Sequence, residues 1–110
     1  MALLDQQFEF ALNMARLILF IAERGYRCSG GEWWRTPEMA TLYAKQGKGI
    51  VNSLHRKRLA VDINLFKGNK FLSETESYRE IGEYWESLHP LNRWGGRFQD
   101  GNHFEMKEEG

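Results

Sequence analysis

Two of the three histidines in this chain lie close in sequence to carboxylates. In the stretch "SLHRKRLAVD", residues 53–62, His55 is followed seven residues later by Asp62. His103 has Asp100 three residues before it and Glu105 two residues after it. Two neutral imidazoles and one carboxylate around an open position make up the ligand set of catalytic zinc. A further carboxylate beside that position would act as a general base. If His103 lies in a strand, Glu105 projects to the same face, while Phe104 points the other way into the core. Such sets also arise by chance, so spacing alone does not separate a metal site from ordinary polar residues. His89, next to Pro90, reads instead as a cap on the last carbonyls of a helix.

The same stretch holds a basic run, His55-Arg56-Lys57-Arg58, which suggests nucleic acid. The whole chain argues against it, with 15 basic and 15 acidic residues and a formal net charge of zero. Nucleic-acid binders usually carry a basic excess or a basic face. The run has no aromatic interleaving and reads as a solvated loop edge. The "GKG" at 47–49 lacks the spacing of a phosphate loop. The single Cys28 cannot form an internal disulfide and is expected to be a buried, inert thiol. The most apolar run, Leu17 to Ala22, is too short to cross a bilayer. Asp5 and Glu9 precede the first basic residue, Arg16, unlike a secretory signal. The expectation is synthesis in the cytoplasm without membrane insertion.

The elements that must position these residues follow from pattern. At 110 residues, 42% of them hydrophobic, the chain (1–110) is expected to form one globular domain. Residues 4–24 predict a helix: Leu4, Phe8, Ala11, Leu12, Ala15, Ile18, Leu19 and Ala22 recur at three- and four-residue spacing, and Gly25 supplies the stop. Its second half, apolar on both faces, is expected to be largely buried. "YRCSGGEWWR" predicts a strand with a bulge or turn at Gly30-Gly31. Thr36 caps a second helix that has Pro37 at its first position and ends near Gln46-Gly47. Residues 47–53 read as a loop, and 59–66 as the clearest strand. "KGNK" is a turn into a short return strand. Ser73 and Glu76 offer a capping box for a third helix over about 74–88, which Pro90 stops. "LNRWGGRFQDGN" reads as a Gly-rich loop and "HFEM" as a last strand. The fold class is α+β, about three helices packed on a small, mostly antiparallel sheet. Trp85 and Tyr84 are expected in the core, and Trp94, before Gly95-Gly96, in the cleft.

Two blocks, "SLHRKRLAVD" and "RWGGRFQDGNHFE", with "WWRTPE" upstream, closely resemble the zinc peptidases that cut peptidoglycan stem peptides. That family contains D-alanyl-D-alanine carboxypeptidases and dipeptidases, and the L-alanyl-D-glutamate endopeptidases used as phage endolysins. The likeness runs from about Tyr26 to Met106.

The resemblance implies one zinc ion held by His55, Asp62 and His103, with Asp100 as the catalytic acid/base. Arg35 falls where the family places an arginine that binds substrate and stabilises the developing oxyanion. Ser53 falls where a hydroxyl helps hold substrate, and Trp94 is a candidate substrate contact. The small size and the closeness to phage-type members favour an L-alanyl-D-glutamate endopeptidase over a D-alanyl-D-alanine carboxypeptidase. The expected enzyme is a monomer with no separate wall-binding domain, reaching the wall through a holin-type lesion. A non-catalytic zinc module that binds peptide is the alternative of a different class. Two positions depart from the family pattern. Arg58 stands where glycine is common, and Asp100 where glutamate is common. Glu105 is expected to orient a ligand histidine.

Overall fold

The computed structural model describes residues 1–47 and 53–109. The expected loop over 47–53 lies almost wholly outside them. In chain order the elements are α1 (Leu3–Glu23), β1 (Arg27–Gly30), α2 (Pro37–Lys45), β2 (Ala60–Lys67), β3 (Lys70–Phe71), α3 (Arg79–Ser87), β4 (Asn92–Trp94) and β5 (His103–Met106). All strand pairings are antiparallel, in the order β1-β2-β5-β4, with β3 also paired to β2. The α+β reading therefore holds, with three α-helices and a small antiparallel sheet among the described residues.

Strand β2 organises the molecule. Its side chains alternate, so Val61, Ile63 and Leu65 are buried while Asp62, Asn64 and Phe66 are only partly so. The first set joins Phe104 and Met106 of β5, Trp94 of β4, Ile81 and Trp85 of α3, and Phe10, Leu17 and Ile21 of α1 in one hydrophobic core. The opposite face of the same strands is left for polar residues. Asp62 pairs directly across from His103, Ala60 from Glu105, and Arg93 of β4 from Glu105. One apolar/polar alternation thus builds the core on one face and a polar cluster on the other.

Thr36 caps α2 as expected, its hydroxyl accepting the Met39 N–H at 3.1 Å. Gly25, Gly47 and Gly68 take positive φ at the predicted stops and turn.

The structure corrects other expectations. In α1 the buried residues are Gln6, Phe10, Asn13, Leu17 and Ile21, whereas Leu4, Phe8, Leu12 and Leu19 are each more than half exposed. The helix is apolar on two sides, and tertiary hydrogen bonds help select the inner one. Gln6 donates to the Lys107 carbonyl at 3.0 Å and accepts the Glu109 N–H at 3.0 Å, tying the C-terminal segment to the helix. No capping box forms at Ser73 and Glu76. A 3₁₀ turn, Thr75–Tyr78, comes first, and Glu76 pairs with Arg79 at 2.7 Å. The "Gly-rich loop" contains β4 and a 3₁₀ turn over Gly95–Phe98. His89 does not cap helix carbonyls; its Nδ1 accepts the Leu91 N–H at 3.0 Å. No helix among the described residues is long and apolar enough to cross a membrane.

Candidate metal centre

His55 reaches the site on a short turn rather than a strand. The Arg58 N–H donates to the His55 carbonyl at 3.3 Å and the Leu59 N–H to the Leu54 carbonyl at 2.9 Å. These nested bonds are the closure of a helical turn by a residue in the left-handed region. That residue is Arg58, at φ 57°. The family's preference for glycine here thus has a steric cause, because only glycine enters this region without a Cβ penalty. Arg58 enters it nonetheless, its guanidinium 4.6 Å from the centroid of the exposed Trp34 ring. The turn keeps its form, and His55 is delivered buried. Ser53 is buried as well, its hydroxyl accepting the His55 N–H at 3.2 Å. In this structure its evident contact is with the turn.

Asp62 and His103 arrive by strand register. Asp62 is gripped on both sides of β2. On one side its N–H donates to the Glu32 carbonyl at 2.9 Å and its carbonyl accepts the Gly31 N–H at 2.7 Å. On the other side it pairs across from His103. The approach of Gly31 is close, since a Cβ there would meet Asp62 Cβ at 3.1 Å.

The three side chains converge. Asp62 Oδ1 lies 3.4 Å from His55 Nε2 and 3.2 Å from His103 Nδ1. One ligand atom from each residue falls within 4.8 Å of the others. The outward nitrogens meet carboxylates: His103 Nε2 lies 2.8 Å from Glu105 Oε1, and His55 Nδ1 lies 3.4 Å from Glu32 Oε1. Glu105 is held in turn by Arg93. An outer carboxylate fixing the tautomer of a ligand histidine is the usual support of a metal site.

The electrostatics call for a cation. Burial would push the Asp62 carboxyl up, but hydrogen bonds from His103 and His55 hold it down at about 2. Burial would push His103 down, but Asp62 and Glu105 raise it to about 9. A proton on His103 thus supplies the positive charge that its two carboxylate neighbours require. His55 Nδ1 is buried and has no hydrogen-bond partner among the described residues. Two imidazoles, one carboxylate and this electrostatic demand fit zinc.

Asp100 lies at the surface, next in the chain to the loop that carries His103, and lines a polar cleft of about 290 Å³ together with Ser73, Thr75 and Gln99. Its carboxyl is raised mainly by partial burial, with His103 pulling the other way. Its carbonyl accepts the His103 N–H at 3.1 Å. The loop is tight: a Cβ on Gly95 would lie 2.2 Å from the Asp100 carbonyl oxygen, and one on Gly101 would lie 2.7 Å from Thr75 Cα.

Arg35 is fixed beside His55, its N–H donating to the His55 carbonyl at 3.1 Å. Its guanidinium reaches Glu32 Oε1 through Nε at 2.8 Å and Nη2 at 2.5 Å, and lies 4.9 Å from the Tyr43 ring centroid.

Trp94 needs correction. It is fully buried, sandwiched by Gly82 and Gly96, with its indole N–H on the Gly101 carbonyl at 2.7 Å, so it offers no surface to a ligand. The exposed aromatic at the site is Phe98, its ring centroid 5.9 Å from that of His103. Sequence reading passed over Phe98, Tyr43, Arg93 and Glu32. Only Glu32 carried a signal, an acid three residues before Arg35, and in a loop that spacing implies no contact.

A family model described as D-alanyl-D-alanine carboxypeptidase matches residues 46–106, a segment that includes His55, Asp62, Asp100 and His103 but not Arg35. Among solved structures, the L-Ala D-Glu endopeptidase ChiX of Serratia marcescens is similar, with a TM-score of 0.72 at 19% identity over 94% of this chain and 84% of that one. At that identity the likeness establishes the shared fold. No curated protein matches in sequence.

Proposed function

The chain belongs to the D-alanyl-D-alanine carboxypeptidase family, and on that premise we propose that it is a zinc-dependent hydrolase of peptidoglycan stem peptides. The observation that carries this reading is the convergence of His55, Asp62 and His103 within ligand distance of one another. Zinc held there would polarise a scissile carbonyl and make water nucleophilic at neutral pH.

The chain's own groups supply the rest. Asp100, raised by partial burial, takes and returns a proton at its carboxylate. Arg35, held by Glu32 and Tyr43, offers forked donors to a substrate carboxylate or a developing oxyanion. The polar cleft that Asp100 lines receives the peptide, and the exposed Phe98 beside His103 is an apolar contact for the part of it nearest the metal ligands. The enzyme acts at the cell wall, as a monomer.

Within the family, we assign an endopeptidase that cuts between L-alanine and D-glutamate. Support comes from the phage-type form of the two motif blocks and the shared fold with an L-Ala D-Glu endopeptidase. The family description favours the second reading, removal of a terminal D-alanine. Mass analysis of fragments from a defined muropeptide separates them: an endopeptidase leaves L-alanine on the sugar and frees a D-glutamyl peptide, whereas a carboxypeptidase frees D-alanine. The protein should bind about one zinc ion. Wall digestion that survives His55→Ala or Asp100→Asn unchanged would overturn the assignment.

A further inference from the structure

Glu32 touches three parts of the candidate site at once. Its backbone carbonyl accepts the Asp62 N–H at 2.9 Å. Its Oε1 accepts from Arg35 Nε at 2.8 Å. The same oxygen lies 3.4 Å from His55 Nδ1, a buried nitrogen with no hydrogen-bond partner among the described residues. The carboxylate is only about a quarter exposed, and the Arg35 side chain still less. A largely desolvated acid bonded to an arginine and set beside a buried histidine is held by geometry, not by chance contact at the surface.

We propose that Glu32 is a positioning residue that couples the metal cluster to the substrate-binding arginine. It rests on the zinc reading above. Two effects follow from one oxygen. As the carboxylate 3.4 Å from the otherwise unpartnered His55 Nδ1, Glu32 is placed to favour a proton on that nitrogen once a metal takes up Nε2, which lies on the Asp62 side. As counter-charge to Arg35, it fixes the guanidinium against Tyr43 while leaving the remaining N–H donors for substrate. Glu105 does the first of these jobs for His103, but it is paired with Arg93 on the far strand. Among the described residues, only the Glu32 side links a metal ligand to the group expected to hold substrate.

The test uses Glu32→Ala, Glu32→Gln, Arg35→Ala and the double variant Glu32→Ala/Arg35→Ala. Zinc affinity is measured by competition with a chelator, without substrate. Glu32→Ala and Glu32→Gln should bind zinc about tenfold or more weakly, in the range seen for outer-shell partners of metal ligands, while Arg35→Ala binds normally. Hydrolysis of a defined muropeptide is then measured at saturating zinc. Glu32→Ala should retain a raised KM that is absent in the Arg35→Ala background, because the arginine it positions is gone. Far-ultraviolet circular dichroism confirms that each variant is folded. Wild-type zinc affinity in both Glu32 variants, or additive defects in the double variant, would overturn the proposal. Failure of the zinc reading itself looks different: the unaltered protein would bind no zinc, or His55→Ala would bind it equally well.

Discussion

Replacing Arg58 tests whether the turn that carries His55 is strained. Arg58 sits at φ 57° and closes the turn with two nested hydrogen bonds. A residue with a Cβ in this region costs about 1 kcal/mol relative to glycine. Against that stands the guanidinium over the Trp34 ring at 4.6 Å. At an exposed site such a contact is worth about 0.5–1 kcal/mol. The two nearly cancel, so Arg58→Gly should change stability by less than about 0.5 kcal/mol. Arg58→Ala keeps the strain and loses the contact, and should cost about 0.5–1 kcal/mol. The gap between the two variants is then about 1 kcal/mol, or roughly 3–5 °C in Tm for a domain of this size. Thermal and urea unfolding of the zinc-free protein measure it. In a Trp34→Ala background the cost of Arg58→Ala should vanish, while the advantage of glycine over alanine should persist. If Arg58→Ala is as stable as Arg58→Gly, the turn is unstrained and the steric account of the glycine preference fails. Zinc affinity should be unchanged in Arg58→Gly, because the nested hydrogen bonds are made by backbone groups.

Proton and zinc should compete at His103. Its pKa is raised from 6.5 to about 9, so its stabilisation of the zinc-free fold is complete below about pH 6.5 and is lost as pH rises through 9. Asp62 is lowered from 3.8 to about 2, so its contribution is present above pH 3.8 and is lost as pH falls through 2. The zinc-free protein should therefore gain most from this pair between about pH 4 and 6.5, and melting across pH checks that. Zinc affinity should instead climb about tenfold per pH unit between pH 7 and 9, with about one proton released, as calorimetry in buffers of different ionisation enthalpy would read. Asp100→Asn should abolish peptide hydrolysis yet leave zinc affinity within about twofold, since Asp100 is outside the ligand set. Trp94→Phe should lower stability by about 2 kcal/mol, through a lost buried hydrogen bond and a cavity, with KM unchanged. A raised KM with normal stability would return Trp94 to the cleft.

The local signals in the sequence held where physics is local. The Thr36-Pro37 start of α2, the glycine stops and the strand that became β2 each depend on a few neighbouring residues, and each is found as expected. The expected ligands His55, Asp62 and His103 do come together. Their spacing alone could not have shown it, because 41 residues separate Asp62 from His103 and only strand register places them opposite each other.

What the sequence left open are choices among equivalent surfaces. α1 is apolar on two sides, and contacts at the other end of the chain, through Gln6, help decide which side turns inward. Trp94 and Phe98 are both aromatic residues near a Gly pair. One goes into the core because Gly82 and Gly96 leave room for its indole, and the other stays at the surface beside His103. Glu32 gains its place from the antiparallel contact between the loop after β1 and Asp62, which no periodicity records. The sequence by itself determined which residue types were available and which elements would carry them, because caps, turns and alternation act over a few residues. Tertiary structure alone decided which carboxylate faces which imidazole, because that depends on pairings between strands and loops distant in sequence.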